Sequence, residues 1–404
     1  MTLQETIKLD EMYYMNTFGS RTPVQFTHGE GSVLYDTNGK AYLDFLAGIA
    51  VNSLGYGHPT LVKAIKDQAE QLLHCSNLFY IESQAKLAKL LSDLNNGGRV
   101  FFCNSGAEAN EAAIKLVRKY FSDQNLHKYE ILTTYNSFHG RTLATLAATG
   151  QEKYQKPFLP MPEGFKYMPY NDLDAAKASV TPETAAIMVE VIQGEGGVIE
   201  GTQEYIKGLQ DLCKEENLLL VIDEVQTGIA RTGKWFGYEN YGIDPDIITL
   251  AKGLGGGIPI GAVMAKGKAA DVLTPGSHGS TFGGNPLSCS AGLAVVETLQ
   301  KAGFMDKVLS NGQYLKEGLK KLQQQFSFIK DVRGIGLIIG MELDIKIPGK
   351  QIVGLALEKG FVINCAGNNT LRFVPPLIIK EEEIQKLLEA LSEIFTQKRK
   401  EDTL

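Results

Sequence analysis

A lysine and an aspartate each follow an apolar segment of the chain. Lys252 comes shortly after Ile247–Leu250, and Asp223 comes directly after Leu218–Ile222. A lysine amine removed from water gives up its proton readily, which suits it to Schiff-base chemistry. A carboxylate at the end of a buried strand needs a buried cation, and a protonated pyridine nitrogen is one. The pair therefore predicts a pyridoxal-phosphate site, although lysines and aspartates in such places also serve other phosphate, cofactor and metal sites.

A second motif follows the apolar run Arg99–Cys103 and precedes a helical pattern over Ala109–Phe121. Ser105 and Glu108 have the S-x-x-E spacing of a helix capping box, which needs no ligand to explain it. Gly106 would also let a phosphate approach the free N–H groups at the start of the helix. The two interpretations are compatible, because a cap can stand beside a bound phosphate.

Two further segments carry side chains that could contact a cofactor or a substrate. One has an aromatic ring and an arginine, and the other has two glutamates. Phe138 and Arg141 are three residues apart and could place a ring against a planar cofactor and a cation against a carboxylate. A core phenylalanine and a solvent-facing arginine are the alternative. Glu190 lies at the end of the predicted strand Ala185–Val191, and Glu195 lies in the loop that follows it. Glu195 is flanked by glycines, so it could face solvent or could hold an arginine until an anionic substrate displaces it.

Polar residues in three other places could complete such a site. Directly after the aspartate at the end of the most apolar strand, Val225 could pack beneath a cofactor ring and Gln226 could reach its phenolic oxygen. Ser280 and Thr281 lie in a Gly-rich loop that suits phosphate binding or a plain surface turn. Arg372 lies within an apolar run, which implies an anionic partner, either a structural carboxylate or a substrate.

A nucleotide-binding site is the alternative from a different functional class. Asp223 and Glu224 end an apolar strand as a Walker B motif does, and Gly228–Lys234 fits part of a P-loop. The match fails because Trp235 stands where magnesium needs a Ser or Thr hydroxyl, and because the P-loop precedes the Walker B strand in real sites. Gly334–Gly336 lacks the third glycine of a dinucleotide fingerprint at the required place.

The composition of the chain argues against several other functional classes. The 404 residues are 44% apolar and 21% charged with a formal charge of −6, which is typical of a globular protein and argues against a nucleic-acid surface. The five cysteines are scattered without metal-ligand spacing, so we expect reduced thiols and no metal site. No apolar stretch is long enough to span a membrane, and Met1–Asp10 has no signal-like apolar core. A cytoplasmic location is therefore expected.

Apolar runs alternate with helical patterns between residues 51 and 300. This alternation predicts an α/β fold with a mostly parallel sheet, at whose strand carboxyl ends ligands collect. Residues 1–50 predict an N-terminal segment that contributes to a smaller domain, with a hairpin of Val33–Asp36 and Lys40–Phe45. Residues 301–404 predict that smaller α+β domain, closed by a helix with one apolar face. The predicted strands of the large domain are Val100–Cys103, Glu130–Thr133, Ala185–Val191, Leu218–Ile222, Ile247–Leu250 and Ala262–Ala265.

Six motifs in fixed order now point to a family. The chain strongly resembles the class III (subgroup II) pyridoxal-phosphate aminotransferases from about Phe18 to its last helix. The resemblance implies a fold-type-I homodimer, a pyridoxal 5'-phosphate cofactor and active sites shared between two subunits. The motifs are Ser105-Gly-Ala-Glu-Ala-Asn110, Phe138-His-Gly-Arg141, Gln193-Gly-Glu-Gly-Gly197, Asp223-Glu-Val-Gln-Thr-Gly228, Ala251-Lys-Gly-Leu254 and Gly279-Ser-Thr-Phe-Gly-Gly-Asn-Pro286.

The resemblance also implies roles around the cofactor. Lys252 would bind the cofactor aldehyde and then move the proton of the transamination step. Gly106 and Ala107 would bind the phosphate next to Ser105, and the partner subunit's Thr281 would reach the cofactor. The other residues implied on the cofactor side are Phe138 and Val225 on the two ring faces, Asp223 and Gln226 on the ring, and Glu190 among the catalytic residues.

The substrate roles implied by the resemblance divide between two arginines. Arg141 would hold the α-carboxylate of the amine donor, helped by the partner subunit's Ser280. Arg372 would hold the α-carboxylate of glutamate or 2-oxoglutarate. Glu195 would mask Arg372 during the other half-reaction, so that one pocket serves both a terminal amine and an α-amine.

The implied reaction moves the δ-amino group of N2-acetylornithine to 2-oxoglutarate for arginine biosynthesis. Ornithine, succinylornithine, succinyldiaminopimelate and 4-aminobutyrate are alternative donors within the same family. A glutamate-1-semialdehyde mutase and a non-catalytic scaffold are further alternatives, although the latter would not need Lys252, Asp223 and both arginines. Phe18 stands near a position where relatives often carry a substrate-contacting tyrosine, which bears on the choice of donor.

Overall fold

A computed structural model describes residues 1–401 of the chain. Its helical segments alternate with strands through the middle of the chain, as the sequence pattern predicts. The helices are α1 (Leu3–Tyr13), α2 (Ala47–Ala50), α3 (Pro59–Gln71), α4 (Glu82–Leu94), α5 (Gly106–Ser122), α6 (Leu143–Ala148), α7 (Glu152–Gln155), α8 (Leu173–Ser179), α9 (Gln203–Glu215), α10 (Pro286–Leu299), α11 (Phe304–Gln325), α12 (Gly349–Glu358) and α13 (Glu381–Glu401).

The strands belong to one large sheet, two four-stranded sheets and a short hairpin. Their bounds are β1 (Phe26–Glu30), β2 (Val33–Asp36), β3 (Ala41–Asp44), β4 (Arg99–Cys103), β5 (Glu130–Thr134), β6 (Phe165–Met168), β7 (Thr184–Val189), β8 (Ile192–Gln193), β9 (Ile199–Glu200), β10 (Leu219–Asp223), β11 (Ile247–Leu250), β12 (Gly261–Ala265), β13 (Ile329–Ile335), β14 (Ile338–Leu343), β15 (Phe361–Val362), β16 (Asn364–Ala366) and β17 (Thr370–Phe373).

The large sheet has the strand order β4-β12-β11-β10-β7-β5-β6. Its neighbouring strands run parallel except at β12, which is antiparallel to both β11 and β4. All five residues of β10 are buried, as expected for a strand covered on both faces. The predicted mostly parallel sheet is confirmed, and its strand carboxyl ends meet at one edge.

Two further sheets flank this core. Strands β13, β14, β17 and β16 form an antiparallel sheet, and β15 adds to the N-terminal sheet of β1 to β3 by parallel pairing with β3. The predicted hairpin of β2 and β3 is confirmed, whereas β1 was not predicted. Since β15 joins the N-terminal segment to the C-terminal part of the chain, these two parts share one sheet. The boundaries at residues 50 and 300 stay a prediction.

Two predicted boundaries in the large domain are wrong. The strand predicted over Ala185–Val191 ends at Val189, because the chain turns there into the separate hairpin of β8 and β9. The helix predicted over Ala109–Phe121 begins three residues earlier, at Gly106, because Ser105 is its N-cap. The earlier start places the first turn of α5 beside the ends of the central strands.

The last helix matches its predicted pattern. Its apolar face is buried, the helix packs against α11 and α12, and acids open it while bases close it. The buried residues of this face are Ile384, Leu387, Leu388, Leu391, Ile394 and Phe395. In the part of the chain that the structure describes, no helix is both long enough and apolar enough to cross a membrane.

Candidate active site

A cavity of about 410 Å³ lies at the carboxyl ends of the central strands. Most of the residues predicted to bind cofactor or substrate line it, although they come from distant parts of the chain. The predicted residues in its wall are Ser105, Gly106, Ala107, Phe138, Arg141, Glu190, Glu195, Asp223, Val225, Gln226 and Lys252. The fold therefore assembles one site from the motifs that the sequence separates.

Lys252 enters this cavity from the end of β11. It is the only lysine in the cavity wall, and among residues 1–401 it forms no ion pair. Its backbone has a φ of 40°, a left-handed conformation that non-glycine residues rarely adopt and that clusters at functional sites. Burial lowers the pKa of Lys252, although the charge of Glu195 opposes that shift. The Lys252 amine therefore loses its proton more readily than that of an exposed lysine.

Asp223, at the end of β10, is fixed by three hydrogen bonds. Its Oδ2 accepts from Asn110 Nδ2 at 2.8 Å and pairs with His139 Nδ1 at 2.8 Å. Its Oδ1 accepts from the backbone N–H of Val225 at 3.0 Å. The carboxylate is only 4% exposed, so a single orientation is imposed on a charge that faces the cavity.

His139 and Asn110 were not predicted as site residues. Burial lowers the pKa of His139, but the hydrogen bond to Asp223 and the charges of Asp223 and Glu190 together outweigh this and leave the pKa raised. Within the described residues, His139 Nε2 and Asn110 Oδ1 are buried without a hydrogen-bond partner. Unpaired buried polar atoms are uncommon in folded proteins, and these two adjoin the same carboxylate. Their only signal in the sequence is that both belong to quoted motifs.

The N-terminus of α5 forms another wall of the cavity. Ser105 Oγ accepts from the backbone N–H of Glu108 at 3.2 Å, as predicted for a cap. The reciprocal half of the capping box is wrong, because the Glu108 carboxylate accepts from Asn104 N at 2.8 Å and from the Ser105 hydroxyl at 3.2 Å instead of from the backbone N–H of Ser105. A Cβ on Gly106 would lie 2.8 Å from Val225 Cγ1, so only glycine fits there. The first N–H groups of the 17-residue helix have no acceptor within it.

Glu195 and Arg372 form an ion pair at the edge of the cavity. Arg372 Nη1 lies 2.5 Å from Glu195 Oε1 and also donates to Gly194 O at 3.2 Å and Gln226 Oε1 at 3.3 Å. Its Nε donates to Asn364 Oδ1 at 3.2 Å. The arginine is 1% exposed and the glutamate 33%. Burial raises the pKa of Glu195, but the charge and hydrogen bond of Arg372, the charge of Lys252 and a hydrogen bond from Gln226 together outweigh it and lower the pKa.

Glu190 connects two segments of the site. Its Oε2 accepts from Phe138 N at 3.0 Å and its Oε1 accepts from Gly194 N at 3.2 Å. Burial raises the pKa of Glu190 to about 7. This carboxyl group therefore fixes the backbone of two cavity segments, one bearing Phe138 and the other leading to Glu195.

Arg141 differs from Arg372 in its surroundings. It is exposed, and its guanidinium lies 3.9 Å from the ring centre of Tyr154 and 5.5 Å from that of Phe138. Among the described residues no carboxylate lies within 4.0 Å of it. Stacked on two rings and unpaired, its charge is available to an anion from solvent.

Ser280 and Thr281 do not line the cavity of their own chain. Ser280 Oγ accepts from Asn104 Nδ2 at 3.2 Å, which places it behind the cavity wall. Thr281 is exposed. Their predicted contributions to a partner subunit's site stay a prediction.

The chemistry of the cavity fits pyridoxal phosphate. A buried carboxylate with two unpaired polar neighbours suits a protonated ring nitrogen, and a free helix N-terminus suits a phosphate. A desolvated lysine between them suits an aldehyde. Over residues 1–401, no cluster of three or more His, Cys, Asp or Glu side chains could hold a metal ion.

Glu224, next to Asp223, allows a test of the buried charge behind the site. Its carboxylate accepts from Gly237 N at 2.8 Å and Tyr238 N at 2.7 Å, and burial raises its pKa to about 7. The folded state thus keeps a proton that the unfolded state loses above about pH 4.3. This contribution to stability is complete below that pH and is lost as the pH rises through 7.

We therefore expect the stability difference between wild type and Glu224→Gln to depend on pH. Relative to the variant, the free energy of unfolding of the wild type should fall by about 2 kcal/mol between about pH 5.5 and pH 7. Urea unfolding at both pH values measures this difference. Glu297→Gln, at an exposed position, is the control and should show a difference that does not change with pH. A constant difference for Glu224→Gln would contradict the prediction.

Comparisons with known proteins agree with this chemistry. The family model described as aminotransferase class-III matches residues 14–395. An acetylornithine aminotransferase of Caldanaerobacter subterraneus subsp. tengcongensis is 55% identical over 394 residues, which cover 97% of this chain and 100% of that protein.

Solved structures are also similar over nearly the whole chain. The ornithine aminotransferase from Toxoplasma gondii ME49 has a TM-score of 0.95 at 32% identity, covering 99% of this chain and 96% of the other. The N-acetylornithine aminotransferase from Stenotrophomonas maltophilia K279a has a TM-score of 0.82 at 36% identity, covering 96% and 97%. These neighbours share the fold but differ in the amine donor that their names give.

Proposed function

We propose a donor and an acceptor for this chain, which belongs to the class-III aminotransferase family and uses pyridoxal 5'-phosphate. The donor is N2-acetylornithine, whose δ-amino group passes to 2-oxoglutarate. The products are N-acetylglutamate 5-semialdehyde and glutamate, a step of arginine biosynthesis. The relative that is 55% identical over its full length is named for this donor, and the predicted fold-type-I architecture is confirmed.

Bound pyridoxal phosphate supplies an aldehyde for the amine and a ring that accepts an electron pair. Lys252 Nζ would bind the aldehyde and then carry the proton from one carbon to another, since its lowered pKa lets the amine lose a proton more readily than an exposed lysine does. Asp223 would hold the ring nitrogen protonated through a charge that Asn110 and His139 orient. The N–H groups at Gly106 and Ala107 would bind the phosphate.

The contrast between the two arginines is the observation that carries the proposed transfer from a terminal amine to a dicarboxylate acceptor. Arg141 is exposed and unpaired in the described chain, so it can receive the α-carboxylate of a donor whose terminal amine reaches Lys252. Arg372 is buried under Glu195, so it is closed to a carboxylate until that ion pair opens. A dicarboxylate acceptor can open it, because its second carboxylate replaces that of Glu195. One pocket can thus take a δ-amine and an α-amine in turn.

Ornithine is the alternative donor, because a structure named ornithine aminotransferase matches with a TM-score of 0.95. The two donors differ only in an acetyl group on the α-nitrogen, which Arg141 does not recognise. Phe18, which bears on this choice, is 73% exposed in the single chain. The donor proposal therefore relies on the identity to the acetylornithine relatives.

A homodimer with shared active sites is also proposed. Thr281 and Phe282 are exposed in the Gly-rich loop whose motif suits phosphate binding. Asn77 bonds to Ser280 O and Gly283 O of this loop, and the large apolar side chains that follow it, Leu78, Phe79 and Tyr80, are exposed. An apolar patch of this kind is typical of a protein interface. A cytoplasmic location is proposed from the five free cysteines, because such thiols are typical of reducing compartments.

The visible spectrum of the purified protein tests the proposed reaction. The absorption of the bound cofactor should bleach when N-acetylornithine is added without a keto acid, and should return with 2-oxoglutarate. Bleaching with ornithine but not with N-acetylornithine would keep the reaction class and replace the donor. No cofactor absorption after reconstitution would contradict the cofactor site.

Substitution of each arginine should affect a different half-reaction. Arg141→Gln is expected to raise the KM for N-acetylornithine by about 10- to 100-fold and to leave the glutamate half-reaction within about threefold, because it removes one charged hydrogen-bond donor. Arg372→Gln should do the reverse. Single-turnover spectra with each substrate alone measure the two half-reactions separately. Equal losses in both half-reactions would contradict the division of roles.

A further inference from the structure

The residue Glu195 lies in a turn that rests on the C-terminal sheet. We call this turn, Gly194–Val198, the glutamate loop; it connects β8 and β9. In the sheet beneath it, Arg333 of β13 pairs with Gly340 of β14, and Gly340 pairs with Arg372 of β17. Partners in neighbouring strands direct their side chains to the same face. Two arginines therefore flank one glycine in a row beneath the loop.

The glycine between the arginines makes room for the loop backbone. A Cβ on Gly340 would lie 2.9 Å from Val198 Cβ and 3.3 Å from Gly197 O. The first distance is shorter than real contacts of this kind. The glutamate loop thus lies directly on the sheet, with one arginine on each side.

The two arginines contact different parts of the loop. Arg372 binds Gly194 O and the side chain of Glu195. Within the loop, Arg333 contacts only backbone oxygens. Its Nε and Nη2 donate to Gly197 O at 3.2 and 2.8 Å, and its Nε also donates to Val198 O at 3.0 Å. One arginine therefore holds the side chain that must move, and the other holds the backbone that carries it.

Arg333 is not suited to bind a substrate. Its Nη1 lies 2.9 Å from Asp331 Oδ2 and 2.6 Å from Glu342 Oε2, so its charge is already balanced by two carboxylates. Its contact with the loop is therefore a fixed attachment and not a second carboxylate site.

The loop needs such an attachment because its backbone is strained. Gly197 has a φ of 108° and Val198 a φ of 55°. A β-branched residue in the left-handed region is a true outlier, and such strain persists only where the surroundings enforce it. Both carbonyls that Arg333 holds belong to these two residues. A further bond from Gly367 N to Glu195 O at 3.0 Å fixes the backbone of the glutamate itself.

We propose that Arg333 is a positioning residue for the switch between Glu195 and Arg372. By fixing the loop backbone, it lets the Glu195 side chain leave Arg372 for a dicarboxylate and return to the same place afterwards. Without it the ion pair weakens, and Arg372 opens to dicarboxylates when it should be closed. The inference rests on the proposed function, in which Glu195 masks Arg372.

Calorimetric titration of the holoenzyme with glutarate tests the proposal. Glutarate is a dicarboxylate without an amine or keto group, so it binds without reacting. We expect Arg333→Met to bind glutarate about tenfold more tightly than wild type, the size expected when a hydrogen bond between charged groups is weakened. Arg333→Lys keeps the charge beside Asp331 and Glu342 but loses the forked guanidinium group. Its affinity for glutarate should therefore lie between those of wild type and Arg333→Met.

A double-mutant cycle separates positioning from general damage. Glu195→Gln removes the mask, so it should tighten glutarate binding, and adding Arg333→Met to it should change nothing further. Arg118→Met is the matched control: Arg118 also holds a loop carbonyl, that of Glu163, but far from the glutamate loop, and its glutarate affinity should equal that of wild type.

Two results would overturn the proposal. One is glutarate affinity in Arg333→Met that stays within about twofold of wild type, or is weaker, in protein that thermal unfolding shows to be folded. The other is an equal effect of Arg333→Met in the Glu195→Gln background. These results would not contradict the proposed amine donor, since glutarate binding does not depend on the identity of the donor. If Glu195→Gln itself fails to bind glutarate more tightly, the proposed mask fails, and the inference fails with it.

Discussion

Lys252→Ala is expected to reduce turnover by about 10⁴-fold, the upper end of what proton transfer by a positioned group contributes, because the amine that bonds to the cofactor aldehyde is lost as well. No other lysine lines the cavity, so no neighbouring amine can replace the missing one. The variant should also lose the visible absorption that depends on the lysine–cofactor bond, and that loss is measurable without any substrate. Purified wild type and variant, reconstituted with equal cofactor, give both readings.

Lys234→Ala is the matched control for this substitution. Lys234 belongs to the P-loop-like stretch Gly228–Lys234 and is exposed outside the cavity. Turnover and spectrum should match those of wild type. A Lys252→Ala variant that transaminates within about tenfold of wild type would refute the assignment of the site, and a loss in Lys234→Ala instead would favour the nucleotide-binding alternative.

The positions of Lys252 and Asp223 were predictable because both depend on local sequence. An apolar run that ends in a charged residue already places that residue at a strand end, and parallel strands bring their carboxyl ends to one edge. The structure adds only the left-handed backbone of Lys252, for which the sequence has no signal. The Ser105 cap was predictable for the same local reason.

Contacts between distant segments were less accessible. His139 and Asn110 reach Asp223 from 84 and 113 positions away, so no spacing rule connects them. The pair of Glu195 and Arg372 spans 177 positions, and only the family resemblance indicated it. Arg333 gave no signal at all, because its role depends on the register of three strands.

Small errors at element ends also have physical causes. The Glu108 carboxylate accepts from the backbone N–H of Asn104 instead of completing the capping box. Asn104 precedes the N-cap residue, and its N–H is also free and within reach of the same carboxylate. The strand ending at Val189 reads as longer in the sequence because Val191 and Ile192 are also apolar and buried. Burial by a neighbouring hairpin and burial within the sheet leave the same apolar pattern in the sequence.

Asp223→Asn is the second substitution with a large expected effect. It keeps the shape of the side chain but removes the charge that would face a protonated ring nitrogen. Removing one preorganised electrostatic contact typically costs about 10²- to 10³-fold in kcat. The amide also fits its neighbours poorly, because Asn110 Nδ2 and His139 Nδ1 both approach Oδ2, and an NH₂ group there could accept from neither. We expect the upper end of that range.

Two measurements on Asp223→Asn separate lost chemistry from lost structure. Equilibrium dialysis should show cofactor affinity about tenfold weaker, while the KM for both substrates changes little because neither arginine contacts Asp223. Asp246→Asn is the control: Asp246 is half-buried directly before β11, and its carboxylate accepts from Leu220 N at 2.9 Å, near the end of β10 opposite to Asp223. That variant should lose stability and keep its kcat. If Asp223→Asn retains kcat within about threefold, the buried carboxylate does not govern the ring, and the network of His139 and Asn110 serves the fold alone.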